Sequence, residues 1–262
     1  MQLHNEVAGT GPAVVLIHEG IADSRMWDPQ WPAYTSRFRT LRYDMRGFGE
    51  SPLPPEPWSN AEDLIELLGE AGIERAALVG VSLGARVALE VALARSDLVS
   101  ALVLVGAALP QEAPDDMRQY GEEEERLFLE GDADGAADLT VRFWVVGVGR
   151  DEEDVDPDVR RRVFEMQRRA YEHWKDAGEE LDERKLVPDV ADRAGEVAVP
   201  VLLIVGEHDR PACLETAERL AREIPGAGLE RMAATAHAPS MERPAEFDAL
   251  VVPFLEAHSS RD

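Results

Sequence analysis

The chain has one cysteine, Cys213, in 262 residues and can form no internal disulfide. Its stability must come from a packed core, and a reducing compartment is expected. Lysine is nearly missing too: Lys175 and Lys185 are the only two, so the cationic groups are chiefly guanidiniums. Positive charge as a whole is short, with 27 Lys and Arg against 52 Asp and Glu and a formal net charge of -25. A field of that sign repels nucleic acid and anionic membranes, which removes both from the expected partners. No apolar run is long enough to span a bilayer, and Met1 to Glu6 lacks the basic and apolar regions of a signal peptide. The expected location is cytoplasmic. An arginine-rich, strongly acidic chain also fits a bacterial coding sequence of high GC content or a salt-adapted surface.

What is present is enough apolar residue for one sizeable core. The chain is 45% hydrophobic with a mean hydropathy of -0.27, the balance of a water-soluble globular fold, and its length suits one α/β core carrying an inserted lobe. Apolar runs at Ala13 to Ile17, Ala76 to Val79, Leu98 to Gly106 (with Leu102 to Val105 at its centre) and Val199 to Gly206 read as strands of a parallel sheet, the continuous runs being buried on both faces. Arg39 to Asp44 and Gly228 to Met232 read as further strands, and Met1 to Gly11 as a short strand or hairpin. Ser59-Asn60-Ala61-Glu62 has capping-box spacing and opens an amphipathic helix stopped by Gly72. Strand and helix alternate as in a doubly wound, mostly parallel sheet. The alternation stops after Gly106. From there to about Ala198 only helical stretches appear, at Asp115 to Leu129, Ala136 to Val146 and Asp158 to Trp174. The expected organisation is a core of 1–107 and 199–262 with a helical lid at 108–198.

The densest chemical signal is Gly80-Val81-Ser82-Leu83-Gly84, between an apolar strand and the helical run Ala85 to Leu93. In a G-x-S-x-G elbow the serine sits on a strained strand-to-helix turn with its hydroxyl exposed, and the glycines let neighbouring backbone pass. The helix N-terminus behind it offers free N–H groups to a developing oxyanion. Asp209 follows the run Val199 to Gly206, and His237 lies in the loop after the last strand. Serine needs a base to remove its proton, which His237 could supply, and Asp209 could hold the other imidazole N–H.

Ser82, Asp209 and His237 stand in the chain order of the α/β-hydrolase superfamily, and the sequence resembles that family over nearly its whole length outside the insertion. His18 with Trp27 downstream resembles the family's oxyanion loop, and Asp44-Met45-Arg46-Gly47-Phe48-Gly49-Glu50-Ser51 resembles its D-x-R-G-x-G-x-S turn. The resemblance implies an oxyanion hole made by the backbone N–H groups of Gly20 and Leu83, with His18 organising its loop. Asp44 and Arg46 are expected to hold their turn through an ion pair and hydrogen bonds. Cys213 is expected to be a small buried hydrophobe and His208 a surface residue. One position departs from the family: Glu19 stands where glycine usually follows the loop histidine. A carboxylate there would oppose an oxyanion, so Glu19 is expected to face away from the nucleophile, ordering the loop or touching the lid.

The resemblance implies a serine hydrolase of the small-esterase and enol-lactonase branch, acting on a small-molecule ester or lactone with no cofactor and no metal. A cofactor-free perhydrolase or haloperoxidase-like activity, carbon–carbon bond hydrolysis, and a non-catalytic ligand receptor are the alternatives. Arg86 or Arg210 could locally offset the negative field for an anionic substrate. A homo-oligomer through the lid or last strand is left open.

Overall fold

The computed structural model describes residues 2–54, 56–107, 109, 113–175 and 183–259. Seven strands form one sheet: β1 (Asn5–Ala8), β2 (Ala13–Ile17), β3 (Arg39–Tyr43), β4 (Ala76–Val81), β5 (Val99–Val105), β6 (Val201–Gly206) and β7 (Gly228–Met232). Their order is β1-β3-β2-β4-β5-β6-β7. All neighbouring pairs are parallel except β1 with β3. Of the two N-terminal alternatives, the short strand is found: β1 pairs with β3 and not with its chain neighbour β2.

Side chains alternate across the central strands, as a pleated strand requires. Val15, Ile17, Leu78, Leu102 and Leu104 enter the core on one face of the sheet. Val14, Leu16, Val79, Val103 and Val105 enter the core on the other. Every residue of β4, β5 and β6 is buried, which is why these strands read as unbroken apolar runs. Helices cover both faces: α1 (Trp31–Thr35), α2 (Asn60–Glu70), α3 (Leu83–Ala94), α7 (Pro211–Glu223), α8 (Pro239–Glu242) and α9 (Pro244–His258). Ser59 caps α2 by accepting from the Glu62 N–H at 3.4 Å.

Between β5 and β6 the described residues contain three longer helices: α4 (Asp115–Leu129), α5 (Ala133–Thr140) and α6 (Pro157–Trp174). They share a small core in which Tyr171, Ala136 and Ala137 pack with Leu127, Phe128, Phe164 and Trp174. The expected helix 136–146 divides, since α5 ends at Thr140 and Val141–Val146 continues as a π-helical turn. Residues 108, 110–112 and 176–182 of the expected lid lie outside the described residues. Among the described residues no helix is long and apolar enough to cross a membrane.

The chain passes from β2 outward to β3 and then returns across β2 to β4. The carboxyl ends of β2 and β4 therefore meet at a topological switch point, where open α/β sheets place their ligands. The loop His18 to Ala22 leaves one of those ends and Ser82 leaves the other.

Candidate active site

Ser82 follows β4 directly and has φ 51° and ψ -109°, a left-handed conformation that costs a non-glycine residue about 1–3 kcal/mol. The surrounding fold holds it there. The Ser82 N–H donates to the Val105 carbonyl at 2.8 Å and its carbonyl accepts from the Arg86 N–H at 3.1 Å. The elbow glycines are required by close approach: a Cβ on Gly84 would lie 2.5 and 2.6 Å from the Ile17 and His18 carbonyl oxygens, and one on Gly80 would overlap the Gly84 carbonyl. Ser82 stays half-buried at the head of α3.

Asp209 and His237, 28 residues apart, are brought together. The His237 Nδ1–H donates to both Asp209 oxygens, at 2.9 and 3.0 Å, and both side chains are almost fully buried. Asp209 is fixed in turn by the Arg210 N–H at 2.7 Å. Burial pulls the His237 pKa down, but the charge and hydrogen bond of Asp209 outweigh it and hold the imidazole well above the ordinary histidine range. Gly106, next to the Val105 that binds the Ser82 amide, lies beneath this pair: a Cβ there would be 3.2 Å from Asp209 Oδ2 and from His237 Nδ1. Asp209 and His237 thus meet beyond the carboxyl ends of β5 and β6, and Ser82 follows the neighbouring β4; among the described residues no hydrogen bond joins Ser82 to His237.

The loop after β2 faces the head of α3. A Cβ on Gly20 would sit 3.5 Å from Leu83 Cδ2, and the N–H groups of Gly20 and Leu83 donate to no other described residue. His18 holds this loop. Its Nε2 accepts from the Met45 N–H at 2.8 Å, which leaves Nδ1 to donate to the Glu19 carbonyl at 2.7 Å. Burial lowers its pKa, so the neutral tautomer suits both bonds.

Two expectations need correction, and the position of Glu19 is better defined: its side chain is fully buried, and neither carboxyl oxygen has a hydrogen-bond partner among the described residues. It lies within electrostatic reach of His237, Asp209 and Glu242. The loop backbone is fixed by His18, so the residue in glycine's place carries its side chain inward. Arg46 forms its ion pair with Asp63, at 2.6 and 2.7 Å, and not with Asp44. Asp44 instead binds the backbone N–H groups of Ser24 and Glu50, each at 2.8 Å. Neither arginine suggested for an anionic substrate is unpaired. Arg86 is held by Glu90 and Glu183 at 2.5 and 2.7 Å, and Arg210 by Asp116 and the face of Phe143.

Other residues around the base carry no sequence motif. Trp144, from the π-helical turn, lies over His237 with ring centroids 4.4 Å apart, and its carbonyl accepts the His237 N–H at 3.3 Å. Arg150 donates to the carbonyls of Val145, Val146 and Ala234 and pairs with Glu242 at 2.7 Å, while Glu242 also accepts the Ala236 N–H. The inserted helices are thereby tied to the loop that bears His237. Cys213 is buried as expected and its Sγ is 3.9 Å from His237 Nδ1. Burial raises the pKa of its thiol. His208 is half-buried, with Nδ1 2.9 Å from the Val148 carbonyl. Ligand atoms of Asp209, Cys213 and His237 lie within 4.8 Å of one another. That spacing follows from the Asp209–His237 pair, which already uses the carboxylate and Nδ1.

Residues 14–250 match the model of the alpha/beta hydrolase family. The chain belongs to that family. It is similar to the carboxylesterase YbfK of Bacillus subtilis, 28% identical over 93% of this chain and 80% of the relative. It is also similar to the pimeloyl-[acyl-carrier protein] methyl ester esterase of Nitrosospira multiformis, 28% identical over 97% of this chain and 98% of the relative. Among solved structures, the enol-lactonase of Burkholderia xenovorans superposes with a TM-score of 0.80 at 26% identity, covering 97% of this chain and 96% of that one.

Proposed function

We propose that this α/β hydrolase cleaves a small carboxylic ester or lactone through an acyl-enzyme on Ser82. The observation that carries the reading is the buried His237–Asp209 pair, bonded at 2.9 Å beyond the strands next to β4, together with a serine held at φ 51° at the end of β4. Ser82 Oγ attacks the carbonyl carbon as its proton passes to His237 Nε2, while Asp209 keeps Nδ1 protonated and stabilises the imidazolium. The tetrahedral oxyanion is met by the N–H groups of Gly20 and Leu83, and losing one such donor costs about 2.7–4 kcal/mol of barrier. His237 returns its proton to the leaving oxygen, and water attacks the acyl-enzyme by the same route. The names of the esterase and enol-lactonase relatives support the substrate class. We read 108–198 as a lid, supported by Trp144 over His237 and by the Arg210–Asp116 pair.

The test is turnover of p-nitrophenyl acetate, p-nitrophenyl butyrate and an aliphatic lactone by the wild type and by Ser82→Ala, with peroxide-dependent bromination run beside it. Ester or lactone turnover that vanishes in the variant supports the reading. Bromination without hydrolysis, or turnover that survives in Ser82→Ala, overturns it.

A further inference from the structure

Glu19 is a buried acid for which the mechanism above has no use. It adjoins Gly20, its carbonyl accepts from the His18 ring, and its carboxyl is fully buried with no hydrogen-bond partner among the described residues. We propose that Glu19 is a positioning residue of the hydrolytic site: a carboxyl group built into the oxyanion loop that acts through His237 and permits turnover only while uncharged. The inference rests on the function proposed above and adds a determinant of when that site can work.

The surroundings support it from every side. The Glu19 carboxyl is fully buried with neither oxygen hydrogen-bonded among the described residues, and it lies within electrostatic reach of His237 in the loop after β7, Asp209 after β6 and Glu242 on α8. Arg150 pairs with Glu242 and three backbone carbonyls, and Cys213 lies against His237. His18, on the same loop, has its pKa lowered by burial, and its Nε2 accepts the Met45 N–H. Among the described residues, the cationic form that lowers the Glu19 pKa is an imidazolium at His237. Burial is the largest influence on Glu19 and raises its pKa to about 8, with His237 opposing and Asp209 and Glu242 assisting.

Ionisation of Glu19 would act twice, each time against turnover. A carboxylate beside His237 favours the imidazolium, which cannot accept the Ser82 proton. A carboxylate next to Gly20 opposes the charge forming on the substrate oxygen. In the protonated form neither penalty applies, which is how glutamic acid can occupy the position. Glu19 passes its proton to no reacting atom; above its pKa the proton is lost to solvent.

The experiment is kcat/KM for p-nitrophenyl butyrate from pH 6 to pH 9.5 in the wild type, Glu19→Gln and Glu19→Gly. The glycine variant replaces the carboxyl with a void and so covers a failure of the amide to fold. Expected is an alkaline fall near pH 8 in the wild type that is absent from the variants, which match it within a few-fold near pH 7 and exceed it by about tenfold or more at pH 9.5. Infrared difference spectra of Ser82→Ala, which needs no turnover, should show a protonated carboxyl that titrates with the same midpoint and is missing once Glu19 is also replaced. Superimposed profiles, or an alkaline fall that persists in both variants, overturn the role of Glu19. Loss of wild-type turnover at pH 7 would instead overturn the hydrolytic reading.

Discussion

Replacing Glu19 by glutamine should change how stability depends on pH, by an amount the burial of this carboxyl fixes. In the unfolded chain the group ionises near 4.5, and in the folded chain near about 8. Between those values the native state keeps a proton that the unfolded state has released, so the unfolded state binds fewer protons and stability falls as pH rises. The loss is about 1.4 kcal/mol per pH unit. From pH 5 to about 8 that is three units, or about 4 kcal/mol, and above pH 8 both states are ionised and the loss stops. Glu19→Gln lacks this term at every pH. Any fixed cost of the buried amide is constant and cancels in the comparison. Urea unfolding of both proteins at pH 5, 7 and 9 should therefore show the variant gaining on the wild type by about 4 kcal/mol across the range. A difference that stays level within 1 kcal/mol, or that grows toward acid pH, would refute the placement of Glu19 as a buried, protonated acid.

Three other outcomes follow from the same coordinates. Because His237 must be neutral to accept the serine proton and its pKa is held up by Asp209, kcat/KM should fall as pH drops, with a midpoint above about 6.5; a flat acidic profile in folded protein would contradict the assignment of the base. Asp209→Asn leaves the imidazolium without its buried counter-charge, worth about 3–5 kcal/mol, so kcat/KM for p-nitrophenyl butyrate should fall by about 10²- to 10⁴-fold; a fall under tenfold with unchanged Tm would argue against it. Arg86→Met strands Glu90, whose side chain is 1% exposed and which also accepts the N–H groups of Leu186 and Val187. Urea unfolding should show a loss of about 3 kcal/mol, and an unchanged midpoint would mean that the pair adds nothing net.

The fold was legible because the strands that carry it are buried on both faces: unbroken apolar runs such as Ala76 to Val79 and Val201 to Val205 need no partner information to be read. Ser82 and Asp209 were assigned because each comes just after one of those strands, whereas His237 lies in the loop after the largely exposed β7 and was assigned from the family's chain order. What could not be read depends on contacts between distant segments. Nothing near Val141 to Val146 signals a π-helical turn, or that Trp144 would cover His237. Arg46 was assigned to Asp44 by nearness in sequence, yet α2 carries Asp63 closer in space. The full burial of Glu19 depends on packing between distant segments and has no local sequence signal. Arg86 read as a free cation because Glu183, its second partner, is 97 residues away.

The central claim is that Ser82 is the nucleophile, and intact-mass measurement after exposure to a fluorophosphonate tests it most directly. The account predicts one adduct per chain in the wild type and none in Ser82→Ala. An unlabelled wild type that is folded and monodisperse, or an adduct retained by Ser82→Ala, would contradict it.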